Sequence, residues 1–231
     1  MRILLTRPEP DGLRSAARLR AVGHDVILAP LMRGETLKAD FGGPFAAVLM
    51  TSANAARAVL EHPRFAELRG LPVCAVGDHS AEVARAVGFA EVVSAQGALD
   101  DLVRLVAARF ANARLLYLAG EDRAGDLAAE LAGRGVNVET AVVYRAVAAT
   151  TLPPEAAQAL GANQLDAVLH YSRRSAATLL QLAAAAGAVN ALLGLAHYCL
   201  SDAAAVPLRE AGARRITVAP HPGESSLFGL F

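Results

Sequence analysis

The chain has 231 residues, and its 22 lysine and arginine residues balance its 22 aspartate and glutamate residues. A formal net charge of zero excludes a strong overall field that would draw the protein to nucleic acid or to a membrane surface. The length suits one large or two small domains. Lys38 is the only lysine; the arginine bias suits two-point recognition of carboxylates, although a GC-rich coding sequence produces the same bias.

The first predicted unit is a strand, a helix and a second strand between Arg2 and Arg33. The apolar run Ile3 to Leu5 fits a buried strand, and the helix after it ends at Gly23, a residue suited to a left-handed C-cap. The stretch from Arg114 to Arg145 repeats this unit without a gap. Each copy is a βαβ crossover, which predicts parallel strands.

A different unit begins near Ala46. Its predicted elements are a strand at 46–50, a helix at 55–61, a strand at 73–76, a helix at 81–87 and a strand at 91–93, and a further helix at 99–110 leads into the repeat. This second unit also recurs, with Ser172 at the position of Ser52 and Asp202 at the position of Asp78. The chain therefore contains two kinds of unit in alternation.

Segments rich in proline and glycine indicate how the four units group. Breakers near residues 34–44 and 145–164 predict linkers, so residues 36–146 form one inserted α/β domain and residues 1–33 with 150–231 form the other. Each domain is predicted to be a five-stranded parallel sheet covered by helices. A plain tandem arrangement is the alternative, but it would put linkers inside domains.

Cys74 and Cys199 fall in predicted buried strands of separate units, without the spacing of a disulfide or zinc site, which favours a reducing cytoplasm. The N-terminal apolar run is too short for a signal peptide.

The segment from Ala176 to Ala196 has membrane-spanning length but is mostly alanine, so we expect a buried helix and turn.

Polar turns follow the predicted strands, and the carboxyl ends of parallel strands are where such sheets bind ligands. Free N–H groups at helix starts and nearby hydroxyls favour an anion there, so the pattern predicts a polyanionic ligand. The alternative is that these residues are only N-caps. The turns contain Thr6-Arg7, Thr51 to Asn54, Gly77 to Ser80, Gly120 to Arg123, Tyr171 to Ser175 and Ser201-Asp202.

Familiar catalytic patterns are missing from the sequence: a Walker lysine loop, a dinucleotide fingerprint, a nucleophile elbow and a histidine pair at metal-ligand spacing. His170 and His197 are predicted to be core or packing residues. The absence of a metal or nucleotide motif favours chemistry that the substrate nearly performs by itself. Tyr144, at the end of a predicted strand, either donates a hydrogen bond to a ligand or packs against the linker.

Taken together, these residues resemble the uroporphyrinogen-III synthase family. The similarity extends over almost the whole chain in the family's order, and no single piece is diagnostic. The pieces are LLTRP at 4–8, TSANAARA at 51–58, AVGDHSAEVARAVGF at 75–89, YLAGEDR at 117–123, VVYRAV at 142–147, HYSRRSA at 170–176, LSDAAAVPLREAG at 200–212 and APHPGESSL at 219–227.

The resemblance implies two similar parallel-sheet, flavodoxin-like domains joined by a two-stranded linker, with a cleft between them. It implies a cyclising hydro-lyase that converts hydroxymethylbilane to uroporphyrinogen III with inversion of ring D, in haem biosynthesis. It also implies no cofactor and no metal. The expected partner is the substrate, which hydroxymethylbilane synthase would hand over. Binding to nucleic acid or to a membrane is not expected, and the protein is expected to be a cytoplasmic monomer.

The resemblance also suggests residue roles. Tyr144 falls on the family's cleft tyrosine, which assists departure of the hydroxyl, and is the catalytic candidate. Asn54 stands where some members carry an arginine, which puts a direct salt bridge there in doubt. The candidate substrate-binding residues are Arg7, Thr51, Ser52, Asn54, Ser80, Tyr171, Ser172 and Ser201.

Two other classes of protein remain as alternatives. One is a non-catalytic two-lobed binding protein for a polyanionic small molecule, although its usual secretion signal or appended DNA-binding helices are absent from this sequence. The other is a glycosyltransferase that uses a nucleotide sugar, for which the chain is short and lacks an evident acidic ribose-binding position.

Overall fold

The computed structural model describes residues 1–123, 125–221 and 223–231. The strands are β1 Arg2–Leu5, β2 Asp25–Leu28, β3 Met32–Thr36, β4 Ala47–Met50, β5 Val73–Ala75, β6 Val92–Ser94, β7 Arg114–Gly120, β8 Asn137–Ala148, β9 Ala167–His170, β10 Ala196–Cys199 and β11 Ile216–Val218. The helices are α1 Asp11–Ala21, α2 Ala53–Ala58, α3 Phe65–Leu68, α4 Asp78–Ala86, α5 Leu99–Arg109, α6 Leu127–Ala132, α7 Pro154–Gly161, α8 Arg173–Ala185, α9 Val189–Leu193, α10 Asp202–Glu210 and α11 Glu224–Phe228.

Contacts between residues separate the chain into two compact units. Unit 1 consists of Met1–Arg33 and Val147–Phe231, and unit 2 consists of Gly34–Ala146. The chain therefore passes between the units twice, once within β3 and once within β8. These two strands are neighbours in one sheet, consistent with the two-stranded linker that the resemblance implies.

Unit 1 is built on a sheet with the strand order β11-β10-β9-β1-β2, in which all the neighbouring strands run parallel. Ile3, Leu4 and Leu5 of β1 are fully buried, because helices cover both faces of the sheet. Burial of each such side chain contributes about 1.5–3 kcal/mol. The sequence prediction of a parallel α/β fold is confirmed here.

Unit 2 has the strand order β3-β8-β7-β4-β5-β6. The pairs β4 with β5, β4 with β7, β5 with β6 and β7 with β8 are parallel. The β7–β8 ladder runs in regular register from Arg114 to Ala119 and then shifts at Gly120, which lies opposite Tyr144. This irregularity lies at the carboxyl edge of the sheet, where ligands bind in folds of this class.

The repeated glycines have the expected conformation. Gly23 follows α1 with φ 87° and Gly135 follows α6 with φ 76°. After both helices the chain makes the same pair of closing hydrogen bonds, in which the glycine N–H and the next N–H return to carbonyls of the last turn. The sequence repeat therefore reflects a repeated backbone.

The structure differs from the sequence predictions at three places. The sheet of unit 2 has six strands rather than five, because β3 joins its edge. The helix predicted at 55–61 is shorter, and α3 follows it. The predicted linker at 145–164 contains α7, because Pro154 occupies the first helical position, where its missing N–H costs nothing.

The alanine-rich segment forms α8 and α9, with a turn between them at Gly187, where φ is 67°. Ala176, Leu179 and Ala183 are fully buried in unit 1. Among the described residues, no helix is both long enough and apolar enough to cross a membrane.

Candidate active-site residues at the carboxyl edges of the two sheets

Two hydroxyl groups meet at the carboxyl edge of unit 2. Thr51 follows β4, and its Oγ1 lies 2.8 Å from Oη of Tyr117 on the neighbouring strand β7. Tyr117 is only 3% exposed. Burial raises the pKa of the Tyr117 phenol, and the hydrogen bond with Thr51 opposes this only in part. The Tyr117 hydroxyl is therefore a neutral hydrogen-bonding group whose partner is already present.

Tyr144 lies at the same edge, on β8. It is half-buried and packs against the apolar cluster that contains Val143, Met50 and Leu118. Its phenol lies directly over the backbone of Gly120. The hydroxyl is thus held beside a strand end while the side chain keeps partial access to solvent, which is the placement that a proton donor to a ligand requires.

The other candidates in unit 2 belong to helix starts. Ser52 is the N-cap of α2, and its side chain accepts a hydrogen bond from the Asn54 N–H at 3.2 Å. The Asn54 side-chain oxygen accepts from Arg57 at 3.0 Å. Ser80 lies in the first turn of α4 and is 7% exposed. These positions put Ser52 and Asn54 at the edge, whereas Ser80 is largely withdrawn from solvent.

In unit 1 the two candidate serines are also N-caps. The side chain of Ser172 accepts from the Ser175 N–H at 3.1 Å at the start of α8, and that of Ser201 accepts from the Ala204 N–H at 3.4 Å at the start of α10. The capping alternative is therefore realised at Ser52, Ser172 and Ser201. A capping hydroxyl that accepts a bond keeps its own O–H to donate, so capping leaves a role in ligand binding open.

Arg7 and Tyr171 bind a carboxylate of the protein itself. Tyr171 donates to Oε1 of Glu224 at 2.8 Å, and Arg7 forms an ion pair with the same oxygen while its guanidinium lies 4.8 Å from the Tyr171 ring centroid. Ser15 also donates to this oxygen, and Arg18 bonds Oε2 at 2.7 Å. The Glu224 carboxylate therefore occupies the donors that the sequence assigned to a ligand.

The electrostatics of this cluster are consistent with an ionised carboxylate. Burial by itself raises the pKa of Glu224, but the Ser15 hydrogen bond, the Arg7 charge and the Tyr171 hydrogen bond together hold it below its ordinary value. Burial, together with the nearby Glu224 charge, raises the pKa of Tyr171. Tyr171 is thus a neutral donor to Glu224.

The buried histidines and cysteines are unsuited to acid–base chemistry at these edges, although His170 is the last residue of β9. His170 and His197 are fully buried, as predicted, and share a hydrogen bond of 3.0 Å. Burial lowers the pKa of both, so they are neutral at pH 7. Cys74 and Cys199 are free and buried. Within the described residues, no three histidine, cysteine or acidic side chains are grouped so as to hold a metal ion.

Sequence reasoning missed Tyr117 and Glu224 as parts of these edges, and it placed Gly120 in a turn after a predicted strand without predicting its contact with Tyr144. Tyr117 and Gly120 belong to the YLAGEDR piece, and Glu224 belongs to the APHPGESSL piece, so all three lie in stretches that resemble the family. Their contacts, however, join them to Thr51, Tyr144 and Arg7, which are distant in sequence. Local patterns carry no signal for such pairings.

Two solved structures are similar to this protein over nearly the whole chain. Uroporphyrinogen-III synthetase from Helicobacter pylori has a similar structure, with a TM-score of 0.69 and 18% sequence identity over 100% of this chain and 98% of that one. A variant uroporphyrinogen III synthase from Thermus thermophilus gives a TM-score of 0.53 and 18% identity over 99% of this chain and 96% of that one. These similarities show that the fold is shared.

A search of curated protein sequences found no match. The family model described as uroporphyrinogen-III synthase HemD matches residues 14–229, which is nearly the full length and includes every candidate residue except Arg7. This chain therefore belongs to the uroporphyrinogen-III synthase HemD family.

Proposed function

We propose that the protein is a cyclising hydro-lyase that converts hydroxymethylbilane to uroporphyrinogen III. The observation that carries the proposal is the position of Tyr144, a partly exposed phenol at the carboxyl edge of unit 2, in a chain of the synthase family. Members of this family act on hydroxymethylbilane.

The reaction requires loss of one hydroxyl and control of geometry. Tyr144 donates its proton to the leaving hydroxyl, which departs as water and leaves an azafulvene carbon. The substituted carbon of ring D attacks that carbon to form a spiro intermediate. The bond from this ring D carbon to the methylene that joins it to ring C then breaks and re-forms at the free α-carbon of ring D. Loss of the proton from that α-carbon restores the pyrrole, and this proton replaces, through solvent, the one that Tyr144 donated. Water is the only by-product, and the proton balance closes.

The substrate carries eight carboxylates, and we propose that the carboxyl edges of both sheets bind some of them. The proposed contacts are the hydroxyls of Thr51, Ser52, Ser172 and Ser201, the amide of Asn54 and the N–H groups of adjoining helix starts. Ser80 would contribute mainly through its backbone, because its side chain is buried.

Arg7 and Tyr171 could bind a substrate carboxylate only if they first released Glu224. Their donors already bind Glu224, so a substrate carboxylate would have to compete with that internal carboxylate. Breaking a charged and partly buried hydrogen bond costs about 1.5–3 kcal/mol. We therefore propose that they act on the substrate chiefly by fixing the edge of unit 1.

A coupled assay tests the function. Hydroxymethylbilane synthase generates the substrate in the presence of this protein, the products are oxidised, and the uroporphyrin isomers I and III are separated. Because unaided closure gives isomer I, enrichment of isomer III measures the proposed activity, with heat-denatured protein as the control. Formation of isomer I alone in the presence of folded protein would contradict the proposal and favour a binding protein for polyanions.

We also propose a cytoplasmic monomer that receives its substrate from hydroxymethylbilane synthase. The buried, free thiols of Cys74 and Cys199 support a reducing compartment. Light scattering during gel filtration tests the monomer, and a mass near 23.9 kDa is expected. A change in the isomer ratio when the two enzymes are separated by a dialysis membrane tests direct transfer.

A further inference from the structure

The backbone of β8 has one extra residue where Tyr144 occurs. Ala119 lies opposite Val142, but the next residue of β7, Gly120, lies opposite Tyr144, so Val143 is the inserted residue of a β-bulge. The backbone pairing resumes after the bulge, because the Glu121 N–H donates to the Tyr144 carbonyl at 2.9 Å. Both sides of the bulge are therefore fixed by main-chain hydrogen bonds.

The bulge changes the direction of the tyrosine side chain. In a regular strand, adjacent side chains point to opposite faces of the sheet. Here Val143, which is 1% exposed, and Tyr144 pack against the same apolar cluster. If the strand alternated regularly through Val143, the phenol would point to the other face, which is covered by α5 and α6 and their cluster of Leu102, Val106 and Leu131.

Gly120 supplies the space for the phenol. A Cβ atom added to Gly120 would lie 2.6 Å from Cζ, 2.7 Å from Oη and 3.1 Å from Cε2 of Tyr144. The ring edge therefore occupies the volume of a side chain at position 120. The φ angle of Gly120 lies outside the left-handed region, so an alanine could adopt this backbone, and the contact with Tyr144 is the constraint on residue size.

We propose that Gly120 is a positioning residue for Tyr144: the bulge turns the tyrosine toward the Val143 face, and the missing side chain at 120 sets where its hydroxyl lies. The inference rests on the proposed function, in which the Tyr144 hydroxyl assists departure of the substrate hydroxyl. Gly120 itself does not touch the substrate.

The substitution Gly120→Ala isolates this contact. The backbone on both sides is held by the β7–β8 ladder, so the flexible phenol yields rather than the strand. Displacement of a reacting group by about 1 Å lowers rates by about 10²-fold. We expect kcat for isomer III to fall by about 10²-fold with little change in KM. In a Tyr144→Phe background, Gly120→Ala should cause little further loss, because the hydroxyl is already absent.

A spectroscopic measurement tests the geometry without any assay of activity. The protein has four tyrosines, so labelling tyrosine with ¹³C at Cζ gives few resonances, and Tyr144→Phe identifies the one from Tyr144. Gly120→Ala is expected to shift this resonance and leave that of Tyr198 in place. Gly42→Ala is the matched control, since Gly42 belongs to the same unit, is exposed, and has open space where a Cβ would lie.

The outcomes separate the inference from the proposed function. An unchanged Tyr144 resonance in a folded Gly120→Ala protein overturns the inference, whatever the activity. A shifted resonance with unchanged kcat and isomer ratio also overturns it, because placement would then not matter. A wild-type protein that makes no isomer III refutes the proposed function, and with it the catalytic part of this inference, while the resonance still decides whether Gly120 places Tyr144. A shifted resonance, a reduced kcat and non-additivity with Tyr144→Phe support the inference.

Discussion

The phenol oxygen of Tyr171 lies 2.8 Å from Oε1 of Glu224, although 53 residues separate them in sequence. Through this contact the short helix α11 is fixed to the carboxyl end of β9. Arg7, Arg18 and Ser15 bind the same carboxylate, so Glu224 joins β9, the turn after β1 and helix α1. One acidic side chain therefore organises the edge of unit 1.

Replacement of Glu224 by glutamine should lower the free energy of unfolding by about 1.5–3 kcal/mol at pH 7, because Arg7 would lose its charged acceptor in a partly buried site. Urea denaturation followed by circular dichroism measures this. Glu210→Gln, at an exposed position of α10 in the same unit, is the control. An equal effect of both substitutions would contradict the role assigned to Glu224.

The contribution of Glu224 should also depend on pH. Its pKa is held below the ordinary value of 4.5, so the folded state favours the ionised form. The stabilisation is present above pH 4.5 and is lost as the pH falls through the lowered pKa of the folded protein. Wild type and Glu224→Gln should therefore converge in stability in strong acid, and a constant difference down to pH 2 would argue against this linkage.

Tyr144→Phe should reduce kcat for isomer III by about 10²-fold, at the lower end of the range for a positioned proton donor. KM should change little, because the phenol acts on the departing hydroxyl rather than on the carboxylates. The coupled isomer assay under steady-state conditions measures both constants. Tyr198→Phe, at a tyrosine of unit 1 on β10, is the matched control. Full rate and unchanged isomer ratio in Tyr144→Phe would remove the catalytic role.

Thr51→Val should destabilise unit 2 by about 1–3 kcal/mol, because it leaves the buried hydroxyl of Tyr117 without its partner. Tyr117→Phe should cost less, since the half-buried Thr51 hydroxyl can bond to water. The double variant should then be more stable than the sum of the two single losses predicts. Additive losses in urea denaturation would indicate that the 2.8 Å contact contributes nothing.

Unit 1 should lose stability as the pH falls below about 6.5. Burial lowers the pKa of His197 to about 4 and lowers that of His170, so the unfolded chain binds protons that the folded chain does not. The stabilisation from keeping these two histidines neutral is fully present above the ordinary pKa of 6.5, and it declines as the pH approaches the lowered pKa values. Each unit of pKa difference corresponds to about 1.4 kcal/mol.

Thermal unfolding between pH 7.5 and 4.5 measures this dependence. His197→Gln should reduce the slope of Tm against pH, even if it lowers Tm at every pH, whereas His221→Gln, at an exposed position, should leave the slope unchanged. This window lies above the one in which Glu224 titrates, so the two effects can be separated. Equal slopes in wild type and His197→Gln would refute the assignment.

Sequence patterns predicted the parallel α/β class because the signals are local. Apolar runs such as those at 3–5 and 115–118 fit strands that are buried on both faces, and Gly23 and Gly135 end helices in a conformation that glycine adopts readily. The addition of β3 to the sheet of unit 2 was not predicted, because it depends on β8 offering a free edge. The helix α7 was missed because a proline pair was interpreted as a breaker rather than as a helix start.

The sequence by itself determined the repeated units, the buried strands, the burial of His170 and His197 and the family, since each follows from residue type and spacing along the chain. Only the tertiary structure decided which polar groups meet. The register of β7 against β8 places Gly120 under the Tyr144 phenol, and the return of the C-terminal helix brings Glu224 to Arg7, which is 217 residues away. Such contacts depend on the pairing of distant segments, and no local spacing encodes which side chain a strand end will face.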